Sequence, residues 1–218
     1  MEHKLNTALC AARWLGTKEG SREHREILAI YNGIRPLPRG YAVQQTDAWC
    51  AAFVSAAAVL AGAGDRYPLE CSCSKMIEKA RSMGIWVEDD DHVPEIGDWV
   101  IYNWQAGSEG DDAGAPDHVG IVIGLEDGEL LAVEGNYDNA VRLRRFRVNW
   151  EKLRGFICPK REENEMRYHT LTEVPAYARA TIEKLVQDGS LRGISGDDLG
   201  LTEELIRTLV ILDRRGIL

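Results

Sequence analysis

The 218-residue sequence predicts an α+β fold in which the helices come first and the strands follow. Three observations predict it. Apolar residues in the first half recur at helical spacing, in segments that stop on glycine. From Gly97 onward the pattern changes to short β-rich runs bounded by turn residues. The two kinds of segment are segregated rather than alternating, which places helices on one side of an antiparallel sheet.

Each element follows from local chemistry. LNTALCAARWLG carries a helical apolar stripe and ends at Gly16, and SREHREILAIYNG has Ser21 as N-cap and Gly33 as stop. RPLPRGYAVQQ reads as a loop. The alanine-rich helix around Cys50 follows and stops near AGAG, and CSKMIEKARSMG is a further short helix ending at Gly84. GDWVIYNW, DHVGIVIG, ELLAVEGN, AVRLRRFRV and LRGFICP then supply a sheet of about five strands.

The main domain is expected over 1–160. PKREENEMRYHT is charged and poor in large apolar residues, so 161–170 reads as a linker. Residues 171–218 form a small helical module from VPAYARATIEKLVQDGSLRG and LTEELIRTLVILDRRGIL. Pro175 suits a first helical turn, and Thr202 is placed to cap the last helix beside Glu203 and Glu204. A module this small is marginal alone and is expected to pack on the main domain or on a partner.

Composition excludes several classes. A formal net charge of -9 disfavours nucleic acid, whose phosphates need a basic face, and leaves no polybasic anchor for a membrane. The longest apolar run, Ala48 to Ala63, is too short and too rich in alanine to span a bilayer. No signal-peptide pattern opens the chain, so synthesis in the cytoplasm is expected. Five irregularly spaced cysteines indicate free thiols rather than a disulfide framework.

Cys50 is the candidate nucleophile. With Asp47 or Thr46 as N-cap, it falls in the first turn of its helix. Unpaired N–H groups and the positive end of the helix dipole favour a thiolate there, and the same amides can bind an oxyanion. An Asp47 cap would compete for the N–H of Cys50, a conflict that a Thr46 cap removes. Among five histidines, His118 opens a strand and is the candidate base. If Glu126-Asp127-Gly128 form a bulged turn, Leu125 faces Glu129, His118 faces Asn136, and Glu134 becomes a same-face diagonal neighbour. A two-residue turn on Asp127-Gly128 would put Glu134 and Asn136 on the other face. In the first register, Glu134 or Asn136 fixes the imidazole tautomer, and His118 takes the thiol proton and later protonates the leaving amine.

WCAAFVS, PEIGDWVIY, DHVGIVIG and VEGN with VRLRRF, in that order, resemble a CHAP domain, the cysteine, histidine-dependent amidohydrolase/peptidase family. The likeness covers roughly residues 1–160, and the helical lead-in is similar to that of phage-type and bacterial cell-wall lysins. It implies a papain-like fold and cleavage of an amide bond in peptidoglycan, either N-acetylmuramoyl-L-alanine or a peptide bond; the alternatives are a cysteine amidase or acyltransferase on a non-wall substrate, and a non-catalytic wall-binding protein. It also implies release at lysis as the route to the wall. It carries the nucleophile onto Cys50, the base onto His118, the orienting acid onto Glu134 and a supporting polar role onto Asn136. Many members have Gln before the cysteine where this chain has Trp49, which bears on the second oxyanion donor. The C-terminal module resembles a short wall-targeting element, with homodimerisation as its alternative role.

Asp47, Trp49, Tyr102, Trp104 and Asp117 are the candidate substrate-binding residues. Trp14, Trp86, Trp99 and Trp150 read as core. Cys71-Ser72-Cys73 lacks the spacing of structural zinc and reads as a wall beside the groove. SEGDDAGAPD groups Asp111, Asp112 and Asp117 without the full spacing of a calcium loop, and reads as a solvated rim. No cofactor and no metal is expected.

Overall fold

The computed structural model describes residues 2–89, 91–105, 114–126, 128–160, 167–191 and 198–214. The chain divides into two compact units, Met1–Arg161 and Glu162–Leu218.

Four helices lead the first unit: α1 (Glu2–Ala12), α2 (Arg22–Asn32), α3 (Cys50–Leu60) and α4 (Cys73–Ser82). Ser21 caps α2, its hydroxyl accepting from the His24 N–H at 3.1 Å. The helix α3 is apolar all round, with Cys50 through Ala58 buried without a break. That composition suits a helix enclosed on every side, and α3 packs against α1, α2 and the sheet. Its alanines and a glycine on the sheet permit close approach: a β-carbon on Gly135 would stand 2.5 Å from the Cβ of Phe53.

The strands are β1 (Trp86–Val87), β2 (Trp99–Tyr102), β3 (His118–Glu126), β4 (Glu129–Tyr137), β5 (Ala140–Arg147) and β6 (Leu153–Ile157). They form one antiparallel sheet in the order β1-β6-β2-β3-β4-β5. The expected strands are all present. The sixth, β1, pairs Trp86 with Ile157 at the edge and is too short to display a period of two. Trp99, Ile101, Val119, Ile121, Val133 and Val141 face the helices and share their core. Val100, Tyr102, Val122, Ala132 and Phe146 form a second cluster on the opposite face.

The β3–β4 register corrects the expected turn. Glu126 pairs with Glu129 and Leu125 with Leu130, so the ladder closes one pair tighter than the bulged turn requires. Asp127 lies outside the described residues. The ladder then shifts between Val122 and Gly124, and Ile121 pairs with Val133. The extra residue therefore enters at Ile123 rather than at the turn, and the register beyond it is the one that brings Gly120 against Glu134.

The second unit contains β7 (Arg167–Tyr168), α5 (Arg179–Gln187), β8 (Leu201–Thr202) and α6 (Glu203–Arg214). Its core holds Val174, Ala178, Ile182, Leu199, Leu201, Ile206 and Val210. The expected linker 161–170 is corrected in part, because Arg167 and Tyr168 pair with Thr202 and Leu201 inside this unit. Pro175 precedes α5 rather than opening it, and its carbonyl accepts from the Ala178 and Arg179 N–H groups. Thr202 does cap α6, accepting from the Leu205 N–H at 3.2 Å. Among the described residues no helix is long and apolar enough to cross a membrane.

Candidate active site

Cys50 is the first residue of α3, and only 6% of it is exposed. The capping position belongs to Trp49, which makes no side-chain cap. This corrects the expected Asp47 or Thr46 cap. The Asp47 carboxylate instead accepts from the Gln44 N–H at 2.7 Å and the Tyr41 hydroxyl at 2.8 Å, closing the loop before the helix. The conflict over the Cys50 N–H therefore does not arise.

His118, the first residue of β3, is 8% exposed. Its Nε2 lies 3.0 Å from Oε2 of Glu134, which is fully buried on β4. The other ring nitrogen is left for the thiol, and Cys50 and His118 each favour the charged form of the other. Of the two candidate orienters, the one bonded to the imidazole is Glu134. Asn136 has φ +59 at the register shift between Glu134 and Tyr137, and lines the open cavity beside His118.

Two residues complete the arrangement: Cys73, which the sequence placed only beside the groove, and Arg144, which it did not single out. Cys73, the first residue of α4, is buried, and its thiol acts on the protonation of Cys50. Arg144 on β5 donates its Nε–H to Glu134 Oε1 at 2.6 Å. Its guanidinium carbon lies 4.1 Å from the ring centre of Tyr137 and 4.7 Å from that of Trp104. His118, Glu134 and Arg144 thus form one hydrogen-bonded polar line, to whose His118 end Cys50 and Cys73 are linked electrostatically.

Electrostatics along this line have a definite sense. The Cys73 hydrogen bond lowers the Cys50 thiol, burial opposes it, and the bond and charge of His118 lower it further, leaving it well below the ordinary thiol range. Cys73 goes the other way: its bond to Cys50 and then burial push it well up, so it stays protonated and donates. Burial lowers His118, but its bonds to Cys50 and Glu134 outweigh burial and raise it to about 9. Burial raises Glu134, and the bonds from His118 and Arg144 more than reverse that. Both shifts favour a thiolate beside an imidazolium.

The expected substrate-binding residues divide. Trp104, half-buried, lines a cavity of about 240 Å³ together with His118, Asn136, Tyr137, Asp138 and Arg144. Tyr102 is fully buried, packed against both Trp104 at 4.9 Å and His118 at 5.9 Å, so it supports the site from behind and does not reach a substrate. Trp49 is corrected in the same way. It is fully buried against His24 at 4.6 Å, and its indole N–H donates to Glu19 at 3.1 Å, which leaves it no hydrogen for an oxyanion. The exposed Asp117 accepts from the Trp104 N–H at 2.9 Å and holds that loop. Asp47 lies at the loop preceding Cys50, engaged as described. Burial pushes the Cys71 thiol up, and Cys71 has no part in this line. Asp111 and Asp112 lie outside the described residues.

The missed residues had little sequence signal. An Asp138-Asn139 turn with Tyr137 opposite Ala140 would, in a regular ladder, place Glu134 opposite Leu143. The observed shift places it opposite Arg142, with Arg144 diagonal on the same face. Cys73 and Cys50 approach only because two helices begin at one place.

No curated protein and no solved structure matches the chain significantly. The family model described as CHAP domain matches residues 41–136. That span takes in Cys50, His118, Glu134 and Asn136 in the order the site requires, and over it the chain matches the CHAP-domain family.

Proposed function

We propose that the protein is a cysteine-dependent peptidoglycan hydrolase, with Cys50 as nucleophile, His118 as proton carrier and Glu134 as its orienting acid. A CHAP domain implies an amidase or peptidase of the peptidoglycan-hydrolase type. The observation that carries the reading is the buried His118–Glu134 pair beside Cys50, whose surroundings favour a thiolate.

The Cys50 thiolate attacks the carbonyl carbon of the scissile amide, and the C–N bond breaks as the His118 imidazolium donates its proton to the leaving amine. The oxyanion forms at the start of α3, where helical N–H groups lack intrahelical partners. Water, deprotonated by the now neutral His118, then attacks the thioester. The acid is released and the starting pair restored. Glu134 keeps the imidazole in the productive tautomer and stabilises its charge without itself taking a proton.

The bond cut is either the N-acetylmuramoyl-L-alanine amide or a bond within the stem peptide or cross-bridge. The second unit serves in wall binding or homodimerisation, and no nucleic acid, membrane or cofactor takes part. Mass spectrometry of purified walls digested by the wild type and by Cys50→Ala tests the proposal. The wild type should release fragments with one new amine and one new carboxylate per cut, and their masses name the bond. Indistinguishable digests would overturn the enzymatic reading.

A further inference from the structure

A second cluster of ligand-type side chains lies apart from the line just described. Asp98 immediately precedes β2, whose other end, Tyr102, pairs with His118. Four strand residues separate the two ends by roughly 13 Å. Beside Asp98 are His92, from the segment before it, and Cys158, the residue after β6. One donor atom from each lies within 4.8 Å of the others, and Cys158 Sγ is 3.3 Å from His92 Nε2.

We propose that His92, Asp98 and Cys158 form a site for one divalent transition metal of the zinc class.

Geometry supports it first. Metal–sulfur and metal–nitrogen bonds of about 2.3 and 2.0 Å put the two ligand atoms roughly 3.5 Å apart on a tetrahedral ion, close to the spacing present here. The donor set of thiolate, imidazole and carboxylate suits zinc and not calcium or magnesium, which take oxygen. Three protein ligands leave one position for water.

The ligands are also held in advance. The Asp98 carboxylate accepts from the Glu95 N–H at 2.8 Å, and its own main chain bonds to Glu95 and Val122. The Cys158 N–H donates to the Ile85 carbonyl, and the His92 ring packs on Phe156 at 5.3 Å. Preorganised ligands lose little entropy on binding.

Charge supports it third. Asp98 and Glu95 bring two negative charges, and Lys4 returns one, its Nζ lying 2.6 Å from Asp98 and 2.9 Å from Glu95. The cluster is left one negative charge in excess. A dication that displaces the Cys158 proton brings the whole group to neutrality. Lys4 need not leave, because a carboxylate accepts at more than one lone pair per oxygen. The ion would tie the segment before β2 to the end of β6, a structural role separate from the chemistry at Cys50.

Untagged full-length protein, stripped with a chelator and titrated with Co²⁺, tests this. One equivalent should bind, with a thiolate-to-cobalt charge-transfer band in the wild type and in Cys50→Ala. The band should vanish in Cys158→Ser. His92→Ala, at a half-buried position, should weaken binding by more than the roughly 10–100-fold that loss of an outer hydrogen-bond partner costs. Zn²⁺ should raise the thermal midpoint of the wild type and of Cys50→Ala but not of Cys158→Ser or His92→Ala. A wild type with no charge-transfer band overturns the site. So does a band that survives Cys158→Ser and disappears in Cys50→Ala.

Discussion

Glu134 fills the space that a side chain at Gly120 would need: a β-carbon there would stand 2.7 Å from the Glu134 Cγ. The absence of a side chain on β3 is therefore what lets the buried acid lie flat beneath His118. Gly120→Ala should displace Glu134, lower kcat with little change in KM, and cost about 1–3 kcal/mol of stability through overpacking. Gly124→Ala, whose β-carbon would meet only Leu131 at an ordinary 3.8 Å, is the control. Equal kinetic losses in both variants would remove Gly120 from the argument.

The thiolate–imidazolium pair sets a pH window. Catalysis should decline on the alkaline side near pH 9, where His118 loses its proton, and on the acid side only well below the ordinary thiol range. Glu134→Gln should draw the alkaline limb down toward 6.5. Stability has the matching sign. Because the folded value of His118 is raised, its own contribution is complete below 6.5 and is lost as pH rises through about 9. Urea midpoints taken across this interval should fall more steeply for the wild type than for Glu134→Gln.

Cys73 lowers the Cys50 thiol, so its removal should make the thiolate harder to form. The rate of iodoacetamide alkylation at Cys50, followed against pH, should turn on at higher pH in Cys73→Ala than in the wild type. An unchanged profile would reduce Cys73 to a packing residue.

Arg144 holds the far oxygen of Glu134 and lies against Tyr137, Trp104 and Tyr102. Arg144→Ala leaves the buried carboxylate with His118 alone, a loss of up to about 3–5 kcal/mol for a broken buried pair. With less of its charge shared, Glu134 should hold the imidazolium more firmly and move the alkaline limb upward. Arg144→Lys should not restore stability, because an ammonium cannot reproduce the planar contact with the rings. The two variants are compared by urea denaturation and by the pH dependence of kcat/KM.

Much of the fold was written in local pattern. Ser21 and Thr202 announced their caps, and the switch from helical to strand period separated the helices from the sheet. Cys50 at a helix start and His118 at a strand start were legible for the same reason: a residue's place within its own element depends on near neighbours. Trp49 was misread because a tryptophan beside a candidate nucleophile shows nothing of the His24 and Glu19 that enclose it.

What the sequence determined by itself was the order of elements and the residue types at their ends, since helix and strand periods, caps and turns act over a few residues. Only the tertiary structure decided which side chains meet. The irregularity at Ile123, the shift between Glu134 and Tyr137, and the convergence of the α3 and α4 starts each bring distant groups together. A strand one residue out of register turns every side chain to the other face, and no local preference specifies where that residue enters.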